Sequence, residues 1–349
     1  MSGRTALVVG ARGVIGGNLI EHLESVGGWD VVGLSRRGGQ DRGVVRHVAV
    51  DLLDREQTSR SLAGLDDVTH VFYAAYQDRP RGPSSSRPTW RCSPTSSTRS
   101  SPSRRGWSTS ASCRGTRSTA LTSDRSRPRP RGRSSAHAAG VQRRPAAVPR
   151  GAAGRGVLVL VGPPPLGRGG VGLGNPMNLA MVIAVYASIS RELGVPFRFP
   201  GKPGAYTSLI EMTDADLLAK AAVFAATSPN GRNRAFNITN GDMFRWSSMW
   251  PKIAAFFDLE VAPPLPMSLT EVMADKAELW DRMISRHDLV PTSYSDVSSW
   301  EFGDFVFGWD YDVIADTSRS RRAGFHEYVE TEEMFLRIFQ DLRDQRLIP

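Results

Sequence analysis

The stretch from Thr5 to Leu23, TALVVGARGVIGGNLIEHL, leaves a chain few ways to begin folding. An apolar, largely β-branched run from Ala6 to Val9 halts at Gly10, and from Gly13 onward Val14, Ile15, Leu19, Ile20 and Leu23 recur at the spacing of one buried helical face. Strand, glycine turn and helix follow one another directly. In such a unit Gly10 lets the chain turn tightly, Gly13 admits a pyrophosphate with no Cβ in the way, and Gly16 lets the helix pack close on the strand. Arg12, Val14 and Ile15 share that turn, where free amides and the dipole at the helix start favour an anion. The spacing is G-x-x-G-x-x-G, not the G-x-G-x-x-G of the general dinucleotide fingerprint, and its place between a strand and a helix supplies the context that a lone triplet lacks.

The next elements keep this rhythm. Asp30 to Ser35 reads as a second strand ending in Ser35-Arg36-Arg37, where an acidic residue would bind a ribose 2′-hydroxyl or arginine would accommodate a 2′-phosphate. Two arginines favour NADP(H) over NAD(H); the plainer reading is solvated arginines in a surface loop. Val45 to Val50 is a third strand followed by Asp51-Leu52, Arg55 to Leu65 has helical spacing, and Val68 to Ala75 is a fourth strand. Asp51 is expected near an adenine, and Ala74-Ala75 beneath a nicotinamide ribose, where small side chains allow close approach. Short apolar runs alternating with amphipathic ones predict an α/β fold, a doubly wound, Rossmann-like parallel sheet.

At Asp78-Arg79-Pro80 the pattern collapses. Residues 81–170 carry 18 Arg, no Lys, no Glu and one acidic residue, Asp124, a formal +17 that leaves −8 for the rest of a chain whose total is +9. A nucleic-acid-binding face mixes Lys with Arg and interleaves aromatics, whereas this block is Arg, Ser, Pro, Thr, Gly and Ala without period, so its charge predicts no nucleic-acid partner. The residues as written supply neither the fifth and sixth strands nor the helices that the sheet needs here, which leaves the segment garbled or disordered. A disordered insertion would leave the interrupted fold on its two sides; here the middle of the sheet is missing.

A shifted reading frame in GC-rich DNA accounts for this better. Back-translated with permissible codons and read from the last base of each, Pro83 to Ser101 yields P-E-L-V-A-P-N-L-A-M-L-T-N-V-V-D-A-V-E, an amphipathic helix. The same frame turns Trp107 to Arg127 into E-H-V-S-L-M-Q-G-Y-K-V-Y-G-A-H-L-G-P-F-K, a strand and a glycine loop. Read from the second base, Ala138 to Gly154 and Leu158 to Gly170 become P-P-E-F-N-V-D-Q-Q-Q-F-L-E-E-R-Q-A and W-S-W-S-A-L-R-P-S-V-V-A-G. Three single-base slips of one sense, near Pro80, near residues 128–137 and near Gly170, would restore the frame. The chain thus divides into residues 1–80, the first half of a dinucleotide-binding domain, residues 81–170, the shifted segment, and residues 171–349, the remainder of the fold with a smaller C-terminal α/β substrate lobe.

In that last part, Met177 to Leu193 reads as a helix ending at Gly194, Phe197 to Phe199 as a short strand, and Thr213 or Asp214 as the cap of a helix through Ala226. A strand at Ala235 to Ile238 and helices at Ser247 to Phe257 and Leu269 to Arg286 follow. The aromatic stretch Trp300 to Trp309 is expected in the core, with an apolar wall for a hydrophobic substrate as the sharper reading. His287 and His326 stand alone on polar segments and are expected at the surface.

The intact parts resemble the extended short-chain dehydrogenase/reductases, in the branch of progesterone 5β-reductase and iridoid synthase-like enzymes. The residues that carry the resemblance are the Gly10/Gly13/Gly16 turn, Gly174-Asn-Pro-Met-Asn178, Ala235-Phe-Asn-Ile-Thr-Asn-Gly-Asp242 with Trp246 and Trp250-Pro251, and Ser320-Arg-Arg-Ala-Gly-Phe325. It covers Arg4 to Pro80 and Gly172 to Pro349. The resemblance implies an NAD(P)H-dependent oxidoreductase acting on an activated carbonyl or enone of a small hydrophobic molecule, with Asn175 to Asn178 on the substrate side. The alternatives are an epimerase/dehydratase-type member of the same superfamily and a cofactor-binding protein without turnover. The family's lysine belongs to a glycine loop whose image here is Gly115-Thr-Arg-Ser-Thr119, so no catalytic residue can be assigned in the chain as written.

Other classes are excluded more simply. Cys92 and Cys113 fall in no metal or redox spacing, and no metal site is expected. No apolar run reaches the roughly 18 residues of a membrane span, and no signal-peptide pattern precedes the first strand, so a cytoplasmic protein with no membrane partner is expected.

Overall fold

The computed structural model describes residues 3–75, 109–115, 156–162, 165–166, 174, 177–232 and 234–349. Its strands are β1 (Arg4–Val9), β2 (Trp29–Ser35), β3 (Val45–Ala49), β4 (His70–Tyr73), β5 (Thr109–Gly115), β6 (Gly156–Gly162), β7 (Pro165–Leu166), β8 (Phe197–Arg198), β9 (Thr213–Asp214), β10 (Ala235–Asn237) and β11 (Val261–Ala262). The helices are α1 (Val14–Val26), α2 (Arg55–Leu62), α3 (Leu179–Glu192), α4 (Pro203–Thr207), α5 (Ala215–Thr227), α6 (Trp246–Phe256), α7 (Leu269–Val272), α8 (Ala277–Arg286), α9 (Tyr294–Val297), α10 (Trp300–Phe307), α11 (Ser318–Arg322) and α12 (Thr331–Asp344).

One seven-stranded sheet, in the order β3-β2-β1-β4-β5-β6-β10, dominates the molecule, and every pairing in it is parallel. This is the doubly wound order, which reverses direction between β1 and β4. The expectation that the residues as written leave out the middle of the sheet is corrected by β5 and β6, which lie side by side with Thr109 opposite Gly156 and Gly115 opposite Gly162. For β6 the signal was present, since Val157 to Val161 is an uninterrupted apolar run of strand length. The remaining residues of the 81–170 block, and with them the proposed slip points, lie outside the described residues.

Each face of the sheet has its own core. Ala6, Val8, Val31 and Phe72 meet Leu19 and Leu23 of α1 and Leu217, Ala221, Ala222 and Ala225 of α5, so α1 and α5 cover one face together. On the other face Leu7, Val9, Val32 and Leu34 pack with Val50, Leu65 and Val68. Parallel strands buried on both sides read as continuous apolar runs, as β1 and β2 do.

A third core belongs to the C-terminal part alone. Trp250 is fully buried, stacked on Phe197 at 4.3 Å and edge-on to Phe199, Trp246 and Phe307. Trp300, Phe307 and Trp309 are buried here too, so the aromatic stretch packs as core, with Phe305 exposed at its outer side. The single helix expected over Leu269 to Arg286 is instead two. Backbone bonds tighten to three residues' spacing at Ala274 and Lys276, ending α7, and α8 starts afresh from the Lys276 carbonyl. His287 is exposed as expected but not alone, because its ring pairs with Glu192 at 2.9 Å.

Candidate cofactor site

The residues singled out in the N-terminal third converge on the carboxyl ends of β1 to β4. Gly10 leaves β1 at φ +91°, a conformation that suits glycine, and its amide and that of Ala11 both donate to Leu34 O of β2, at 2.9 and 3.0 Å. On its other side the Ala74 amide donates to Val9 O at 2.8 Å, so Gly10 lies between the ends of β2 and β4, at the point where strand order reverses. A Cβ at Gly10 would fall 2.7 Å from Ala75 N and 2.8 Å from Ala74 C. Gly10 and Ala74-Ala75 therefore form one tight floor.

From that floor α1 rises with Gly13 as its N-cap, extended at φ −82° and with no side chain closing the first turn. The first bond of the helix runs from Gly17 N–H to Gly13 O, so the amides of Val14, Ile15 and Gly16 have no intrahelical acceptor. Gly16 is held closest: its Cβ would lie 2.1 Å from Gly10 O, which makes the helix–strand approach impossible for any other residue without backbone movement. Arg12 is exposed in the turn, Val14 is buried and Ile15 half-buried. Buried Asn18 ties back to Val14 O at 2.7 Å and stiffens this first turn.

The second strand delivers the arginines. Ser35 Oγ donates to Gly38 O at 3.0 Å and Gly38 N–H donates to Ser35 O at 3.3 Å, closing a turn whose two central residues are the exposed Arg36 and Arg37. Val50 N–H donates to Ser35 O at 2.9 Å, which brings the start of the Asp51-Leu52 segment alongside. Exposed Asp51 accepts from Leu53 N–H at 2.9 Å, so part of its carboxylate already serves its own turn. Leu52 is half-buried.

The substrate-side residues are only partly visible. Asn175 and Pro176 lie outside the described residues, and Asn178 caps α3 by accepting from Met181 N–H at 3.2 Å, a structural duty. Gly115 closes β5 next to β4, while Thr116 to Thr119 lie outside the described residues. Asp214 caps α5 as expected, accepting from Asp216 N–H, and also pairs with Arg337. Burial pushes the Asp214 carboxyl up, against the pull of Arg337.

One titratable group escaped the sequence reading: Glu211, buried, accepts from Ala315 N–H at 2.7 Å, and desolvation raises its carboxyl above the ordinary range, helped by Asp242 and opposed by Arg321. No periodicity marks such a residue; only its setting inside an apolar Ile-Glu-Met run hints at burial. Among the described residues no group of acidic, histidine and cysteine side chains could hold a metal, and no helix is long and apolar enough to cross a membrane.

Comparison with known proteins places these elements in context. Residues 166–349, just over half the chain, match the PRISE-like Rossmann-fold domain, and residues 6–93 match the NAD dependent epimerase/dehydratase family. (S)-8-oxocitronellyl enol synthase of Antirrhinum majus is 35% identical over 176 residues, 50% of this chain and 45% of that protein. The Catharanthus roseus protein of the same name is 30% identical over 177 residues, with the same coverage. The chain thus spans about half the length of the curated relatives it matches. Among solved structures, the epimerase Mth375 of Methanothermobacter thermautotrophicus superposes with a TM-score of 0.59 at 11% identity, covering 98% of this chain and 93% of that one. The UDP-glucose 4-epimerase of Thermus thermophilus, solved with NAD, gives 0.52 at 17% identity, covering 97% and 99%. At those identities the likeness concerns the fold.

Proposed function

The chain belongs to the family of PRISE-like Rossmann-fold domains, and from that premise we propose that it binds NADP(H) in preference to NAD(H) and that its family reaction is reduction of an activated carbonyl or enone of a small hydrophobic molecule. The observation that carries this reading is the floor at the switch point. Gly10 is pressed on Ala74-Ala75 where a Cβ has no room, it opens onto the uncapped start of α1, and the Arg36-Arg37 turn stands at the end of the neighbouring strand. A dinucleotide fits that donor set: amides of Arg12, Val14 and Ile15 for the pyrophosphate, with that of Gly13 already given to Gly10 O, Arg36 and Arg37 for a 2′-phosphate, Ser35 and Asp51-Leu52 on the adenosine side, Ala74-Ala75 beneath the nicotinamide ribose. When bound, the nicotinamide supplies the hydride, and the chain's part is to orient it and keep water away. The relatives named as oxocitronellyl enol synthases support a small carbonyl-bearing substrate, and the neighbour of the same fold solved with NAD supports a nicotinamide dinucleotide in this place.

A second reading applies to the chain as written: it holds the cofactor without turnover, because residues 81–170 carry a shifted frame. The chain has no lysine before Lys202 and no tyrosine between Tyr76 and Tyr186, and the two family matches stop at residue 93 and resume at 166, leaving most of the arginine block unmatched. A serine or threonine hydroxyl beside Gly115 cannot replace a tyrosine near a lysine, its pKa being far too high for proton transfer at neutral pH. Fluorescence titration with NADPH and NADH, followed by NADPH oxidation with a panel of enones for this chain and its frame-restored counterpart, tests both readings. Turnover by the chain as written refutes the second; equal affinity for the two cofactors refutes the preference in the first.

A further inference from the structure

The cofactor reading leaves His47 unused, although it lies against the arginine turn. His47 stands on β3 in register with Gly33 of β2. Its ring fills space that two glycines leave open: a Cβ at Gly33 would fall 2.9 Å from Nδ1 and 3.1 Å from Cε1, and a Cβ at Gly39 would fall 2.7 Å from Cγ and 2.9 Å from Nδ1. The same Cβ at Gly33 would lie 2.9 Å from the Ala11 Cβ, so the ring sits beside the glycine turn as well as beneath the arginine turn. Two residues along the strand, Gly38, at φ +62°, rests on Ala49 in the same fashion, its Cβ position 3.3 Å from that of Ala49. The segment after Arg37 thus lies down on alternate residues of β3.

The ring is held by shape. His47 Nδ1 is buried and has no hydrogen-bond partner among the described residues, while the backbone N–H of His47 is fixed by Asp41 Oδ1 at 2.7 Å. The three atoms nearest a Cβ at Gly39 all belong to the His47 ring, so removing the imidazole takes away the contact directly under the turn.

We propose that His47 is a positioning residue for cofactor selectivity: its imidazole, wedged between Gly33 and Gly39, holds the Ser35–Gly39 turn so that Arg36 and Arg37 face a 2′-phosphate together. This inference rests on the reading that the arginine pair receives that phosphate. A wedge acts through its volume and touches no part of the cofactor, which sets it apart from a phosphate ligand.

The test is the ratio of the NADH to the NADPH dissociation constant, measured by fluorescence titration on the full chain, with thermal melting to check folding. In His47→Ala the ratio is expected to fall about tenfold, the equivalent of one charge-assisted contact, through weaker NADPH binding with NADH unchanged. His47→Phe, which keeps a ring but no nitrogen, is expected to stay within about twofold of wild type. Gly39→Ala, whose new methyl meets the ring, should lower the ratio by itself and less so in the His47→Ala background, a coupling that independent sites do not show. A high wild-type ratio unchanged in folded His47→Ala, or His47→Phe falling as far as His47→Ala, overturns this inference alone. A wild-type ratio near one overturns the cofactor reading, and this inference with it.

Discussion

Replacing Gly16 by alanine is the sharpest probe of the glycine turn, because the structure fixes what the new methyl meets. Its position lies 2.1 Å from Gly10 O and 2.7 Å from Gly10 C, both backbone atoms of the strand end. Carbon and oxygen pack comfortably at about 3.3 Å, so α1 must retreat from β1 by about 1 Å. No side chain can rotate to relieve the clash. Overpacking of this kind costs about 3 kcal/mol, and alanine's better helix propensity returns about 1 kcal/mol, for a net loss of about 2 kcal/mol and a melting temperature lowered by roughly 4–8 °C. The same retreat carries the amides of Val14 and Ile15 away from the floor at Ala74-Ala75, so dinucleotide affinity is expected to fall about tenfold. Differential scanning fluorimetry and a cofactor titration measure both. Gly64→Ala is the control, since a Cβ there meets nothing within 4 Å. A Gly16→Ala protein that melts within about 1 °C of the parent and binds the dinucleotide equally well would show that helix and strand do not need this approach.

Other outcomes follow from the same structure. Arg36→Ala with Arg37→Ala is expected to weaken NADPH binding about ten- to a hundredfold while sparing NADH, read by parallel titrations. Glu211 has its carboxyl raised above 4.5 by burial, so its contribution to stability is full below that value and declines as pH rises through the raised pKa. Glu211→Gln keeps an oxygen for Ala315 N–H and should remove this decline, which urea midpoints at acid and neutral pH would show. Trp250→Ala deletes a side chain with no exposed surface and is expected to cost about 3–5 kcal/mol, seen as a lower denaturant midpoint for the C-terminal part.

Much of this architecture is legible without coordinates where local and global demands agree. The Gly10/Gly13/Gly16 turn and β2 with its arginines announce themselves because β1 and β2 are buried on both faces and the turn between strand and helix needs glycine, and β3, buried only at Val45, shows as a short run with Val45 and Val48. The Asp214 cap is visible for a similar reason, a short acceptor placed just before an apolar helix. What stays hidden depends on distant partners. Glu211 is held by the N–H of Ala315, 104 residues away, and His287 meets Glu192 across two helices, neither of which leaves a periodic trace. The break between α7 and α8 hides because the apolar spacing runs on across it. β5 shows the limit most clearly, since Thr109 to Gly115 is small and polar, and only its neighbours β4 and β6 make a strand of it.

The seam between α1 and α5 has a consequence for connectivity. Leu19 and Leu23 come from before the arginine block and Leu217, Ala221 and Ala225 from after it, yet they bury one another in a single core. Covalent continuity between those two stretches is therefore not what keeps them in contact. A peptide bond broken between Gly115 and Gly156 would turn one polypeptide into two, each still carrying its own half of that seam. The pair would sediment and elute as one particle, and they would part only in denaturant. Each piece, expressed without the other, would present an oily helix face to water.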